Sequence, residues 1–437
     1  STAQLTINSG TFDNPGGTIQ AAGAAFMTAT SSTTFSQTFN SDALTLVSPT
    51  LAVNAAMTVT TDATISATDV STTATVYVGG NSVFNTTGWT TFNNTLDVVG
   101  TLDMNGGTDF TSTSPITVGQ SATIDQNGFI HLDNLTVSSS AAIVSTGSDF
   151  ISNALTIGTT LDVSAPTGIT FNGAVDTGGV VTLTSDSGLV TINNTFQTGG
   201  SSVWINSNSY LNTGAGVISD TGAMDFVVDT SIQVDGTITS GSITSTSDTF
   251  TTTAAVDITG LINVQTVNAI VLAPSMTVST TGDFVSSSSS FTSEVLDFDS
   301  NVMINALTGI TINGASTIGG TFTGTSLSGM TSLNNTLGMS GSTFTVTAQS
   351  FTSSAAGDVT GAGLSTWSIA DASIIDGDFD ATEVDFDTGS ITTSGFFTVH
   401  GNYDLVAGTF ADYNGNVTLD NGGNFTASTG STFDSVG

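Results

Sequence analysis

The chain of 437 residues contains no lysine, no arginine and no cysteine, while aspartate and glutamate together number 35. Its formal net charge is therefore −35 at pH 7. Proteins bind nucleic acids and anionic lipids largely through lysine and arginine, so this polyanion should be repelled by both. The missing basic residues also exclude P-loop phosphate binding, Schiff-base chemistry and arginine fingers. We expect neither a nucleic acid nor an anionic membrane as a partner.

The other scarcities indicate one fold class and one environment. Without cysteine there is no disulfide, no thiolate metal site and no cysteine nucleophile. Glutamate, a good helix former, occurs only at Glu294 and Glu383, whereas strand and turn residues are abundant. No apolar run reaches the roughly eighteen residues of a membrane-spanning helix. The strand and turn residues predict an all-β protein. Because trypsin-like proteases cleave after lysine or arginine, they find no site in this chain, which suits a protein that is secreted and works outside the cell.

Two internal periods, one long and one short, organise the chain. The segment GITFNGA that starts at Gly168 returns as GITINGA at Gly309. Asn193-Asn194-Thr195 returns as Asn334-Asn335-Thr336 with the same offset. We therefore predict an internal duplication in which roughly residues 150–201 reappear at 291–342.

The shorter period is about 20 residues, a length typical of solenoids. TFNGAVDTGG at Thr170 is followed one such period later by the similar TINNTFQTGG at Thr191. Within each unit, apolar residues alternate with threonine, serine or aspartate, as in half-buried strands, and glycine and asparagine separate the strands. We predict a parallel β-helix (β-solenoid) of about 20 coils that forms a single elongated solenoid over residues 1–437. A two-sheet sandwich array is the alternative.

Phenylalanine recurs after serine, threonine or aspartate, which indicates inward ladders of stacked rings in the core. We expect ordinary core packing for these rings rather than ligand stacking. The ladder residues are Phe110, Phe150, Phe250, Phe284, Phe291, Phe344 and Phe351.

The densest chemistry is an acidic segment between residues 376 and 387. In a strand its first three carboxylates would share one face and its last three the next. Six carboxylates with no cationic side chain nearby repel one another unless a hard cation neutralises them, and oxygen ligands suit Ca²⁺. We predict a calcium site there, against the alternative of a solvated acidic face. The predicted ligands are Asp376, Asp378, Asp380, Glu383, Asp385 and Asp387.

Three further features are weaker signals. Paired carboxylates could serve a glycosidase, but enzymes that act on anionic sugars bind them with lysine and arginine. His131 and His400 are too far apart to form one site, so we expect each to be a surface or turn residue. Asn-x-Ser/Thr motifs predict either glycosylation or, as we prefer for Asn-Asn-Thr, asparagine ladders at turns. These motifs begin at Asn85, Asn93, Asn134, Asn193, Asn334, Asn416 and Asn424.

Neither end of the chain carries the polar or helical cap that usually protects a solenoid. Residues 1–21 and 410–437 both look like strands with little charge. Open coil ends predict a head-to-tail contact between copies, which does not close and therefore yields a filament. The alternative is that the chain is a segment of a longer polypeptide.

The short repeats, with Ile-Thr-x-Asn-Gly and Asn-Asn-Thr corners, resemble the β-solenoid passengers of bacterial surface proteins. Filamentous-haemagglutinin-like adhesins and autotransporters are examples. The resemblance covers most of the chain and lies in the style of the repeat. It implies a right-handed parallel β-helix that is exported across the envelope and serves attachment, a surface coat or a filament.

Together these observations predict an extracellular, non-enzymatic structural protein at the cell surface. We expect it to self-assemble head to tail into an anionic, protease-resistant filament or surface layer, with copies of itself as the main partner, other surface components as further partners and Ca²⁺ as the expected ion. The loss of lysine and arginine favours this function over an adhesin passenger segment. A polysaccharide-acting β-helix enzyme is the third alternative.

Overall fold

The computed structural model describes residues 3–420, 423–429 and 433–435. The chain is all-β, with 68% of its residues in strands, and its parallel strands form a β-solenoid of about 21 turns with a period of about 20 residues. The predicted fold class is confirmed, and the parallel stacking excludes the sandwich. Among the described residues, no helix is long and apolar enough to cross a membrane. Residues 1–2, 421–422, 430–432 and 436–437 of the predicted uncapped ends lie outside the described residues.

Contacts divide the chain into two compact units, Ser1–Gly222 and Ala223–Gly437, here called unit 1 and unit 2. The single elongated solenoid stays a prediction. The strands up to the unit boundary are β1 (Leu5–Asp13), β2 (Ile19–Gln20), β3 (Ala25–Phe35), β4 (Phe39–Ser41), β5 (Leu44–Val53), β6 (Met57–Val59), β7 (Ala63–Thr72), β8 (Val76–Val78), β9 (Ser82–Thr86), β10 (Trp89–Phe92), β11 (Leu96–Val98), β12 (Leu102–Gly107), β13 (Asp109–Ser112), β14 (Ile116–Val118), β15 (Ala122–Gln126), β16 (Ile130–Val137), β17 (Ala141–Ser145), β18 (Phe150–Ile157), β19 (Leu161–Ser164), β20 (Gly168–Phe171), β21 (Val175–Thr177), β22 (Val181–Ile192), β23 (Phe196–Gln197), β24 (Val203–Asn212) and β25 (Ile218–Val234), which contains the boundary.

The remaining strands belong to unit 2. They are β26 (Ile238–Ser247), β27 (Thr249–Thr252), β28 (Val256–Ile258), β29 (Ile262–Thr266), β30 (Ile270–Val278), β31 (Gly282–Ser286), β32 (Ser290–Phe298), β33 (Val302–Ala306), β34 (Gly309–Ile312), β35 (Ser316–Ile318), β36 (Phe322–Leu333), β37 (Leu337–Met339), β38 (Phe344–Ser353), β39 (Val359–Ile375), β40 (Phe379–Thr393), β41 (Phe397–Val399), β42 (Tyr403–Tyr413), β43 (Val417–Leu419), β44 (Phe425–Thr429) and β45 (Phe433–Ser435).

Each coil has three strand faces, which the coil of β5 and β6 illustrates. Residues 44–48 form face 1, residues 50–53 form face 2, and β6 forms face 3. All three pair in parallel register with the corresponding faces of the next coil, in β7 and β8. The first corner joins faces 1 and 2, the second corner joins faces 2 and 3, and the third corner leads to the next coil.

Alternation of apolar and polar side chains determines which side of each strand is buried. On face 1 of this coil Leu44 and Leu46 are buried, whereas Thr45 and Val47 point outward. Parallel strands stack about 4.8 Å apart, so the inward residues of successive coils form continuous apolar ladders. Burial of one such side chain contributes about 1.5–3 kcal/mol. The core therefore consists of one apolar layer repeated at each coil.

Small polar side chains stabilise the corners. Inside the first corner, the hydroxyl of Ser48 donates to the carbonyl oxygen of Thr50 at 2.8 Å. At the third corner, a carboxylate oxygen of Asp62 accepts the backbone N–H of Asn81 on the next coil at 2.7 Å. The side-chain oxygen of Asn81 in turn accepts the N–H of Thr101 at 3.0 Å. Serine, aspartate and asparagine are favoured at such turns because they satisfy backbone groups that leave the sheet.

Asparagine ladders at the second corner recur with the long period. The side-chain amide of Asn193 donates a hydrogen bond to the side-chain oxygen of Asn172 at 3.0 Å. The side-chain amide of Asn334 donates in the same way to the side-chain oxygen of Asn313 at 2.8 Å. The second contact thus repeats the first at the long offset, as a duplication of 150–201 at 291–342 predicts. These contacts confirm the predicted turn-ladder role for the Asn-Asn-Thr motifs at Asn193 and Asn334.

The seven predicted ladder phenylalanines are all buried, as expected for core packing. They occupy two faces rather than one, since Phe284 and Phe344 lie on face 1 and the others on face 2. In unit 2 the core contains an aromatic cluster around Trp367, which is 1% exposed. Its ring centroid lies 4.5 Å from that of Phe351 and 4.7 Å from that of Phe386.

Candidate functional site in the acidic coils of unit 2

The acidic segment is divided between two corners and two faces, and the third corner leads from one coil to the next. Asp376 and Asp378 lie in the second corner, before β40 begins. Asp380 points outward from face 3, Glu383 lies in the third corner, and the last two aspartates lie on face 1. The fold therefore separates residues that a single straight strand would have brought onto shared faces.

The two corner aspartates stabilise the backbone and the next coil. Asp376 accepts a hydrogen bond from the hydroxyl of Ser394 at 2.7 Å, and Asp378 accepts the backbone N–H of Phe396 at 2.9 Å. The N–H of Asp378 donates to Asp358 of the preceding coil at 2.8 Å. These carboxylates thus bridge successive coils.

The same device occurs in unit 1, where the first corner meets face 2. Asp69 accepts the N–H of Trp89 at 3.0 Å, and Asp109 accepts the N–H of Phe129 at 2.9 Å. In each case the donor lies one coil further along the chain than the aspartate. Aspartate at a corner of this solenoid is therefore first of all a structural acceptor.

On face 1 the structure stacks like charges. Asp385 of β40 is in register with Asp404 of β42, and both side chains are exposed. Like charges directly opposite on neighbouring strands are destabilising. Asp387 lies two residues further along the same side of β40 and is also exposed. These carboxylates make the outer surface here locally anionic.

Nothing in the described part of the chain gathers three or more acidic or histidine side chains closely enough to hold a metal ion. The calcium site at residues 376–387 accordingly stays a prediction. Asp376 and Asp378 already bond to the protein, and the stacked pair Asp385 and Asp404 brings two solvent-facing carboxylates together there.

His400 contacts two carboxylates across three coils. Its Nε2 lies 2.9 Å from a carboxylate oxygen of Asp380, and its Nδ1 lies 3.2 Å from one of Asp420. Carboxylate oxygens only accept hydrogen bonds, so only an imidazolium with both nitrogens protonated donates to both partners. The side chains are 40–48% exposed, so solvent screens the attraction.

This triad is what sequence reasoning missed. Asp380, His400 and Asp420 follow one another at intervals of one coil, and that spacing is the signal that could have found them. His131, the other histidine, is half-buried and packs edge to face against Phe129 with ring centroids 5.9 Å apart. The two histidines do not share a site.

Two buried tyrosines lie inside the same coils. The hydroxyl groups of Tyr403 and Tyr413 are hydrogen-bonded to each other. Burial raises the pKa of Tyr413 to about 12. Burial, and then the neighbouring Tyr413, raise the pKa of Tyr403 well above its usual value. Both groups are therefore neutral at physiological pH.

All seven asparagines of the predicted glycosylation motifs are exposed or half-buried, and their modification stays a prediction. Several already have protein partners. Asn85 accepts from Asn105 at 3.3 Å, and Asn93 accepts from Thr113 at 3.3 Å. A glycan at either position would have to leave these coil-to-coil contacts intact.

No protein-family model, curated protein or solved structure matches this chain.

Proposed function

We propose that this protein is an extracellular structural protein whose coils stack end to end between copies, giving an anionic filament or surface layer. The observation that carries the proposal is the half-exposed apolar edge of the first coil. Leu5, Ile7, Phe12 and Ile19 point inward there but are only partly buried. The residues in register with them on the next coil are Ala25, Met27, Thr33 and Phe39, each at most 2% exposed.

The backbone supports the same conclusion. Within the described residues β1 pairs only with β3, so no described strand covers its other edge. At the other end of the described chain, Val417 is 38% exposed and Phe425 is 39% exposed. A further parallel coil would cover these side chains and pair the edge groups, as strands of one copy do with a second copy in β-augmentation.

Charge favours end contacts over side contacts. With a net charge of −35 and no lysine or arginine, the lateral faces of two copies repel each other. The first coil, residues 3–20, carries a single aspartate, Asp13. Its edge therefore approaches another copy with little repulsion. Bound Ca²⁺ at the stacked Asp385 and Asp404 would lower the remaining repulsion.

The test is sedimentation velocity over a range of concentrations, with electron microscopy of the same samples. We expect the wild-type mass to rise with concentration and uniform fibres to form. Phe12→Asp places a charge on the inward side of the open edge and should give monomers only. Thr11→Asp, on the exposed side of the same strand, is the matched control and should still assemble.

Wild-type protein that stays monomeric at every concentration, with and without calcium, would refute the proposal. Assembly of Phe12→Asp equal to that of Thr11→Asp would also refute it, because the contact would then lie elsewhere. Repeating the microscopy in millimolar Ca²⁺ and then in chelator tests the calcium prediction separately. Fibres that loosen in chelator support it, and unchanged fibres contradict it.

A further inference from the structure

A groove runs along the outside of unit 2, where the first corners of successive coils lie above one another. Val267, Leu307 and Leu327 each come directly after face 1 of their coils and are 49%, 37% and 68% exposed. Single exposed apolar residues are ordinary, but these three share one continuous depression. We call this depression the corner groove, and its defining residues are Asp248, Val267, Leu307, Leu327, Asp387 and Val406.

The concave shape has a simple cause. Face 1 ends in small inward residues such as Ser286, Ala306 and Ser326, which are buried and leave the corner shallow. The corner groove consists of three adjoining pockets of about 410, 220 and 420 Å³. Val285 lines the first and second pockets, and Leu327 lines the second and third. The corner groove is thus continuous along several coils.

Its charge is confined to its ends. Asp229 and Asp248 line the first pocket and Asp387 lines the third, while the lining of the middle pocket is uncharged and includes Val285, Leu307 and Leu327. The face 1 strands connect Asp248 and Asp387 through seven coil-to-coil steps. At about 4.8 Å per step they are roughly 34 Å apart. An extended polypeptide spans that distance with about ten residues.

The lining also indicates the chemistry of the occupant. The described lining residues include no aromatic side chain on which a sugar ring would stack, and no cation that would hold an anionic ligand. A second copy of this chain has no lysine or arginine to pair with Asp248 or Asp387. The complementary partner is therefore basic at both ends and aliphatic between them.

We propose that the corner groove binds an extended segment of about ten residues from a basic partner protein, with lysine or arginine at each end and aliphatic side chains in the middle. The aliphatic side chains cover Val267, Leu307 and Leu327, and the terminal cations pair with Asp248 and Asp387. This binding does not depend on end-to-end assembly, since the corner groove lies on the side of the coils.

The experiment is fluorescence anisotropy with two labelled peptides of the same composition. One carries a pair of lysines at each end of an alternating leucine–threonine centre, and the other carries all its lysines at one end. We expect the first peptide to bind the wild-type protein at least about tenfold more tightly. Equal binding of both peptides would overturn the proposal, because the protein would then act only as a general polyanion.

Two pairs of variants locate the binding. Leu327→Ser should weaken binding of the first peptide about tenfold, while Val47→Ser, at an aliphatic residue of unit 1 that is 47% exposed, should leave it unchanged. Asp387→Asn should weaken binding and reduce its salt dependence, whereas Asp97→Asn in unit 1 should not. Because Leu327 is 68% exposed, its variant should keep its fold, which circular dichroism checks. Equal effects within either pair would overturn the proposal.

Discussion

Two opposing contributions to stability, aromatic packing and a buried N–H group that is unpaired within the described residues, act at the side chain of Trp367. It is 1% exposed, and the rings of Phe344, Phe351, Phe379 and Phe386 surround it with centroid distances of 4.5–5.6 Å. Its indole N–H is buried and has no hydrogen-bond partner among the described residues. Packing therefore stabilises this tryptophan, while its polar atom destabilises it.

The two terms can be separated by substitution. Trp367→Ala removes the packing and leaves a cavity, which should cost about 3–5 kcal/mol of the free energy of unfolding. Trp367→Phe keeps one aromatic ring, so it should lose only about 1–2 kcal/mol of packing. It also removes the unpaired donor, whose burial costs about 1–3 kcal/mol. We expect these terms to cancel, so that Trp367→Phe changes stability by less than about 1 kcal/mol.

Urea denaturation followed by circular dichroism measures both variants against the wild type. Tryptophan emission gives a second signal, because Trp89 and Trp204 are 44% and 52% exposed while Trp367 is buried. The blue-shifted component of the native spectrum should therefore disappear in Trp367→Phe. A loss for Trp367→Phe as large as that for Trp367→Ala would refute the reasoning, because the indole N–H would then be contributing a favourable interaction.

Three further outcomes are expected in unit 2. Burial raises the pKa values of Tyr403 and Tyr413 in the folded protein, so above about pH 10 these tyrosines ionise first in the unfolded chain. The free energy of unfolding should therefore fall by about 1.4 kcal/mol per pH unit for each tyrosine until the pH reaches its folded-state pKa. Tyr413→Phe should reduce that alkaline slope in pH-dependent urea titrations, and an unchanged slope would contradict the assignment. His400→Ala should cost about 1 kcal/mol or less and should speed amide exchange in the coils on either side of it; protection equal to wild type would mean that the ion pairs contribute nothing. Burial raises the pKa of Asp283, one of whose carboxylate oxygens has no partner among the described residues, so Asp283→Asn should raise the urea midpoint at neutral pH, and a lower midpoint would show that the charge is stabilising there.

The solenoid was predictable because its information is local and repeated. Each coil needs apolar residues at alternating positions and turn residues at three corners. The similar segments TFNGAVDTGG and TINNTFQTGG, which start at Thr170 and Thr191, therefore already mark one full period of the repeat. Parallel stacking then satisfies the backbone of every coil in the same way. The number of coils and the period both follow from that repetition.

The acidic segment shows where this kind of prediction fails. Alternation within a strand suggested two shared faces for Asp376 to Asp387, but the segment begins in the second corner, where Asp376 and Asp378 accept hydrogen bonds from the next coil. The position of a corner depends on how inward side chains pack in the neighbouring coils. Composition alone does not determine it.

The sequence by itself determined the chemistry that this protein lacks and the period of its fold. A chain without lysine, arginine or cysteine cannot present those side chains in any conformation. A regular period of about 20 residues places equivalent positions of successive coils above one another, even where the individual residues differ. Only the tertiary structure decided which residues meet. It brought Asp380, His400 and Asp420 together across three coils, stacked Asp385 on Asp404, and exposed Leu327 in a groove, because these contacts depend on the register between coils.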